Sequence, residues 1–390
     1  MYRAGRIATL AETTQASVAR FTPVPDSAEL RAFVHDGIDP RLARDWAALA
    51  GQASEPNGFA EHWFVAASLA TLRGGRDVRI VEVRRGGAMI GVMPIAIEHR
   101  YGRLRVRFLQ NWCHHHSFLG TPLIRAGEET AFWTALLDLL DSADWVPGFL
   151  HLRGLVEDGP VHRGLIAARP GAATVHREAR ALLCSELSPA AYYEQAVRQK
   201  KRKEHRRLRA RLAEQGALRA HILGDGRALH AWADAFLALE RAGWKGRAGS
   251  ALACAVDTEG FFRDALAGAW EAGRLQFLRL DLEGRPIAML VNFLCAPGGF
   301  SFKTAFDEAY AHFSPGVLLQ IENLGNLGRP DIAWMDSCAA ENHPMIEGLW
   351  RERRVLARVT VPLKGTRRAA TFRACRVIES SWALAKRAGR

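Results

Sequence analysis

Between Phe302 and Leu324 an apolar run breaks at Ser314-Pro315-Gly316 and resumes with helical spacing in Val317-Leu318. Proline suits the first position of a helix, and glycine lets a ligand approach the backbone. Free N–H groups at such a start, with the helix dipole, favour an anion. Ser314, Gly316, Val317 and Leu318 could therefore hold a phosphate or pyrophosphate; an ordinary helix cap is the plain alternative. A second group of reactive types follows the strand-like DIAWM, where Asp336 and His343 bracket a short loop. Strand ends of α/β sheets are where ligand sites form. An unperturbed imidazole pKa near ~6.5 suits proton transfer at neutral pH, which makes His343 the first candidate base and Asp336 its orienting partner. A turn-capping aspartate beside a surface histidine is the bland reading of the same pair.

Cys338 lies between them and could act as a thiol nucleophile, although a buried cysteine is commonly just small and apolar. Lys303 sits in an otherwise apolar strand, and an unpartnered buried lysine is costly, so an anionic neighbour or an exit to solvent is expected. In NWCHHHSF, His114 and His116 would share one strand face, yet no partner motif with zinc spacing follows. No metal is expected there; the loop is read as bordering a pocket.

Positioning these residues requires an α/β (α+β) architecture. DPRLARDWAALAGQ has helical spacing behind an Asp-Pro start, and helices are also expected over 61–72, 128–140, 190–213, 227–241 and 258–272. Strands are expected in RLRVRFLQNW and GFLHLRGL, and hairpins around Gly86-Gly87 and Glu283-Gly284. The matching order of elements predicts two similar halves, each a mixed β-sheet flanked by helices. The division read from the sequence is a loose arm over 1–27, halves over 28–183 and 184–362, and a basic helix or tail over 363–390.

Of the 390 residues, 48% are hydrophobic and 24% charged, as in an ordinary globular chain, and the net charge of +12 calls for an anionic partner. Six scattered cysteines without a CxxC pair argue against a zinc ribbon or a disulfide framework and fit a reducing cytoplasm. No export signal or membrane span is read, since no window approaches ~18 consecutive apolar residues.

GWKG (Gly243 to Gly246), the strand-turn-strand after Gly273, KTAFDEAYAHFSPG (Lys303 to Gly316) and the Asp336 segment before Trp350 resemble the acetyltransferase domain of the GNAT superfamily, in its CelD-like branch. The resemblance covers residues 185–352 and, more weakly, 39–183. Related Fem-type aminoacyltransferases are built from two such halves. It implies a coenzyme A thioester as co-substrate, with its pyrophosphate at Ser314 to Leu318, although one glycine stands where several are usual. MDSCAAENHPMIEGLWRERR further resembles α-proteobacterial members among which ceramide synthases occur, implying acyl transfer to a long-chain base.

Such amide formation needs a neutral amine, whose pKa lies near ~10, so a base must remove a proton. Glu240, Asp307, Asp336, Glu341 and His343 are the candidates, and Lys303 is expected in the catalytic group. Glu240 would face the amine and Lys245 an anionic group, unless both are solvated charges. Trp244, Lys245, Asp307, Tyr310 and His116 are expected to border the substrates.

RQKKRKEHRRLRARL (Arg198 to Leu212) is dense in positive charge, and the tail from Lys364 mixes basic residues with Phe372, Val377, Ile378, Trp382 and Leu384. Two such surfaces would bring the enzyme to an anionic membrane face, or would suit transfer RNA. The expectation is a cytoplasmic N-acyltransferase, peripheral on the inner membrane. Its rivals are an aminoacyl-tRNA-dependent Fem-type transferase, a polysaccharide-linked acetyltransferase, and a degenerate pair that only binds.

Overall fold

Gly86 and Gly87 have φ of 53° and 87°, and Glu283 and Gly284 have φ of 51° and 75°. Two successive left-handed residues give the turn whose twist suits a two-residue hairpin. Val78–Arg85 therefore turns straight back as Ala88–Glu98, and Leu275–Leu282 as Arg285–Cys295, as the sequence predicts. Glu283 tolerates the left-handed conformation while its carboxylate accepts from the Ala217 N–H.

These hairpins lie in one sheet, seen in a computed structural model that describes residues 29–388. The expected arm over 1–27 lies outside the described residues. The strands are β1 (Leu30–His35), β2 (Val78–Arg85), β3 (Ala88–Glu98), β4 (Phe108–Asn111), β5 (Leu123–Ile124), β6 (Leu150–Val156), β7 (Ala173–Leu183), β8 (Leu218–Ile222), β9 (Leu275–Leu282), β10 (Arg285–Cys295), β11 (Gly298–Phe306), β12 (Trp334–Asp336) and β13 (Glu352–Val361). Their order is β1-β2-β3-β4-β6-β13-β7-β12-β11-β10-β9-β8, with β5 against β3. The fold is mixed α/β, a large mixed sheet flanked by helices.

Each end of this sheet repeats the same plan, but the terminal strands are exchanged. β13, late in the chain, pairs with β6, while β7 pairs with β12; β7 and β13 then join each other over Glu352↔Leu182 to Thr360↔Ala173. Neither half completes its sheet alone. The sequence gives no warning of this exchange, because β7 and β13 carry five arginines between them and read as polar connections.

Helix Pro40–Ala50 begins as expected, the Asp39 carboxylate accepting from Leu42 N–H at 2.7 Å. The single helix expected over 190–213 is two, Pro189–Ala196 and Gln199–Ala213, broken at the extended Val197 and Arg198. The first five residues of RLRVRFLQNW, and its last, do not join the strand, which is confined to Phe108–Asn111. Helix Thr366–Ala388 closes the chain, and its Cys375 and partly buried Phe372 pack on Tyr101, Phe108 and Phe149. Part of that tail's apolar face is thus spent inside the molecule. No helix among the described residues is long and apolar enough to cross a membrane.

Candidate active site

The β11–β12 pairing is parallel and brief, from Gly298↔Trp334 to Phe300↔Asp336. Beyond Phe300, β11 continues to Phe306 paired with β10, while the chain after Asp336 turns away through a left-handed Cys338, φ 53°. A wedge opens between the two strands. Lys303 is on its β11 side, three residues past the last pairing.

Into this wedge comes the histidine loop of the first half. Asn57 donates to the Leu119 and Thr121 carbonyls at 3.2 and 2.7 Å, and Arg180 of β7 donates to the Phe118 carbonyl at 2.6 Å. Those anchors set Phe118 against Lys303, whose Nζ lies 5.8 Å from the Phe118 ring centre and 5.3 Å from that of Phe302. Such a contact stabilises a cation weakly and consumes none of its donors. Lys303 makes no hydrogen bond or ion pair among the described residues, and burial, followed by the nearby Lys245 charge, lowers its pKa to about 8.

Lys245 is held differently. Its Nζ donates to Glu240 Oε1 at 2.8 Å, and Glu240 Oε2 accepts from the Leu252 N–H at 2.8 Å. Glu240 is only 4% exposed and each of its oxygens holds one partner, so it fixes Lys245. His116 stacks on Phe261 with ring centres 5.4 Å apart, and its Nδ1 is buried without a partner. Burial, with Lys303 adding to it, pushes both His114 and His116 down to about 3, so both rings are neutral. His114 meets Ser68 Oγ at 2.9 Å. Among the described residues no group of three or more His, Cys, Asp or Glu side chains is arranged to hold a metal ion.

Asp336 does not orient His343. It is fully buried, with Oδ1 accepting from Cys338 N–H at 2.8 Å and lying 3.5 Å from Arg180, and Oδ2 accepting from Arg354 at 3.2 Å. Two arginines from β7 and β13 claim this carboxylate, and neither strand was legible as such. His343 lies on the following loop with Nδ1 buried and unpartnered; burial and then the Lys245 charge hold its pKa below the usual histidine value. The Cys338 thiol is raised well above its ordinary value by burial and by Asp336, which opposes the thiolate a nucleophile would need.

Ser314 to Leu318 form a helix start without a cradle. Ser314 is left-handed (φ 53°), and its carbonyl accepts from both Val317 and Leu318 N–H, at 2.9 and 3.1 Å. Proline has no N–H, which leaves Gly316 alone in the first turn. A Cβ on Gly316 would meet Met345 Cε at 2.9 Å, so apolar side chains crowd that residue and a single free N–H is offered. The arrangement does not fit a pyrophosphate.

Of the other expected site residues, Asp307 Oδ1 caps a short turn through Ala309 N–H at 3.0 Å and its Oδ2 pairs with Arg285 at 3.0 Å. Tyr310 packs against the Leu208 and Leu212 core. Glu341 is exposed, and Trp244, 58% exposed, offers its ring to solvent while its N–H donates to Glu308 at 2.6 Å. The structure therefore gathers Lys303, Lys245, Glu240, His116 and Phe118 and leaves Asp307 and Tyr310 to structural tasks. Arg180, which ties the histidine loop to Asp336, was missed; its only sequence signal was an arginine in an alternating segment.

A wedge between parallel strands, with a strand exchange joining the two ends of one sheet, sets the geometry of the candidate site. Residues 199–343 match the family described as acetyltransferase (GNAT) domain, and the protein is an acyltransferase. The chain is similar in structure to FemX, at 10% identity and TM-score 0.53, covering 84% of this chain and 96% of that one. It is also similar to a tandem GNAT protein from the clavulanic acid biosynthesis pathway, at 16% identity and TM-score 0.45 over 87% and 100% of the two chains. The C-terminal domain of a putative lysylphosphatidylglycerol synthetase from Agrobacterium fabrum matches at 12% identity and TM-score 0.48, over 87% and 96%. No curated protein matches the chain.

Proposed function

We propose that this protein is an N-acyltransferase that moves an acyl group from an activated ester, an acyl-CoA thioester foremost, to a primary amine, with a long-chain sphingoid-type base as acceptor. The observation that carries the reading is Lys303, a half-buried cation that makes no ion pair among the described residues, beside a strand wedge. A site built this way lacks one thing, a negative charge, and acyl transfer creates one at the carbonyl oxygen.

The acceptor nitrogen attacks the acyl carbonyl carbon, and the Lys303 ammonium donates to the oxyanion that forms. His343, neutral with a free buried Nδ1, takes the ammonium proton of the collapsing adduct. The bond from carbonyl carbon to the leaving oxygen or sulfur breaks, that atom takes up a proton, and an amide remains. Glu240 keeps Lys245 near Lys303, where burial and then that second positive charge lower the Lys303 pKa to about 8. Phe59, Phe118, Phe293 and Phe302 supply apolar contact, which supports an apolar acceptor or acyl chain. Because the start of helix Pro315–Asn323 does not suit a pyrophosphate, no step is routed through that part of the donor. The exposed Lys200, Lys201 and Lys203, which make no ion pairs among the described residues, support approach to an anionic membrane face.

Purified protein given acyl-CoA and a long-chain primary amine should release free thiol and form amide. A flat thiol trace with amide formation only from aminoacyl-tRNA, abolished by ribonuclease, would replace this reading with the tRNA-dependent one.

A further inference from the structure

A cavity lies along the sheet where β4 and β6 pair through Leu109↔Leu150 and Gln110↔His151 before separating. Its volume is about 410 Å³, within the usual range for small-molecule sites. Arg153 of β6, Arg358 of β13 and His176 of β7 line one side; Tyr101, Leu104 and Ile378 line another, the last from the closing helix. A smaller space of about 110 Å³, sharing Arg153, His176 and Arg358, continues from it toward Phe118.

The guanidinium groups of Arg153 and Arg358 make no ion pair or hydrogen bond among the described residues. The acids nearby are committed elsewhere: Glu178 lies 3.8 Å from Arg180, and Glu379 accepts from Tyr101 OH and from Arg376. His151 is buried with Nδ1 3.2 Å from Thr360 Oγ1. Burial, and then the charge of Arg153, push Arg358 below its usual range, so two like charges face each other at a partly dry wall. Arg153 is exposed and Arg358 half-buried, so both are within reach of a ligand from solvent, and a planar fork pair suits a phosphate.

We propose that this cavity binds a phosphate-bearing amphiphile, its phosphate on Arg153 and Arg358 and its apolar part against Tyr101, Leu104 and Ile378. The site is independent of the transfer chemistry. The phosphate is the shared feature of a lipid headgroup and of free phosphate, and the apolar wall selects the lipid.

Isothermal titration of the full chain with dihexanoyl phosphatidic acid, kept below its critical micelle concentration, tests this beside inorganic phosphate. The lipid should bind at least tenfold more tightly than inorganic phosphate. Arg153→Gln combined with Arg358→Gln should weaken the lipid at least tenfold, and the exposed Arg153→Gln alone should weaken it severalfold without touching the core. Ile378→Ser should weaken the lipid and leave phosphate unchanged. The ligand-free double variant should melt no lower than wild type, since it loses two unpaired like charges. Absence of saturable binding, equal affinity for the two probes, or indifference to the arginine substitutions in a folded variant would each overturn the proposal.

Discussion

Lys303 and His343 set opposite limits on the same reaction. His343 must be neutral, and its pKa lies below the usual histidine value; Lys303 must be charged, and its pKa is about 8. Activity per active site should therefore be flat near neutral pH and fall as pH rises through about 8, with an acid limb below the ordinary imidazole range. Lys303→Met should reduce kcat roughly 100- to 1000-fold and remove the alkaline limb. The same variant should melt no lower at pH 7, because a depressed lysine pKa means that the charged form burdens the fold, most strongly below about 8. His343→Gln should slow the reaction about 100-fold and erase the acid limb while keeping KM. A Lys303→Met protein of full activity would remove the charge argument for this site.

At the scale of elements, a buried amide cluster fastens helix Pro315–Asn323 to the sheet. Asn292 Nδ2 of β10 donates to Gln276 Oε1 and Asn323 Oδ1, both at 2.7 Å, and Asn326 Nδ2 donates to the same two oxygens at 3.0 and 2.8 Å. Truncating Asn292 leaves those acceptors dry and short of donors. Asn292→Ala should cost about 2–3 kcal/mol in urea unfolding, more than its small volume alone explains.

Glu55 makes a different kind of element contact. Its Oε1 accepts from Val161 N–H at 3.1 Å at the start of helix Pro160–Ala168, its Oε2 has no partner, and burial raises its pKa from 4.5 to about 7. The folded state prefers the proton, so this contribution is complete below 4.5 and lost as pH rises through about 7. Thermal melts of Glu55→Gln between pH 5 and 7 should lack the decline in Tm that wild type shows over that window.

For the whole molecule, the exchange of β7 and β13 makes the two halves one cooperative sheet. Fluorescence from the buried Trp133 of one half and Trp350 of the other should report a single urea transition. Expressed separately, residues 28–183 and 184–362 should fail to give soluble folded halves, because each would present an uncovered apolar strand edge. Two separable transitions would mean that the exchanged strands add little.

The hairpins at Gly86-Gly87 and Glu283-Gly284, the Asp39 cap and the broad order of helices were determined by the chain itself, since glycine turns, caps and apolar periodicity act over a few residues. Lys303 was also legible as a cation out of place in an apolar strand. Tertiary structure decided the rest. Asp336 looked like the partner of His343 because seven residues separate them, yet it faces Arg180 and Arg354, which are 156 and 18 residues away in sequence. Ser314-Pro315-Gly316 looked open to an anion, yet the Val317 and Leu318 N–H groups are spent on the Ser314 carbonyl and Met345 crowds Gly316. Local pattern specifies backbone; which side chains share a dry space depends on strand exchange between distant segments, and no short-range signal encodes that pairing.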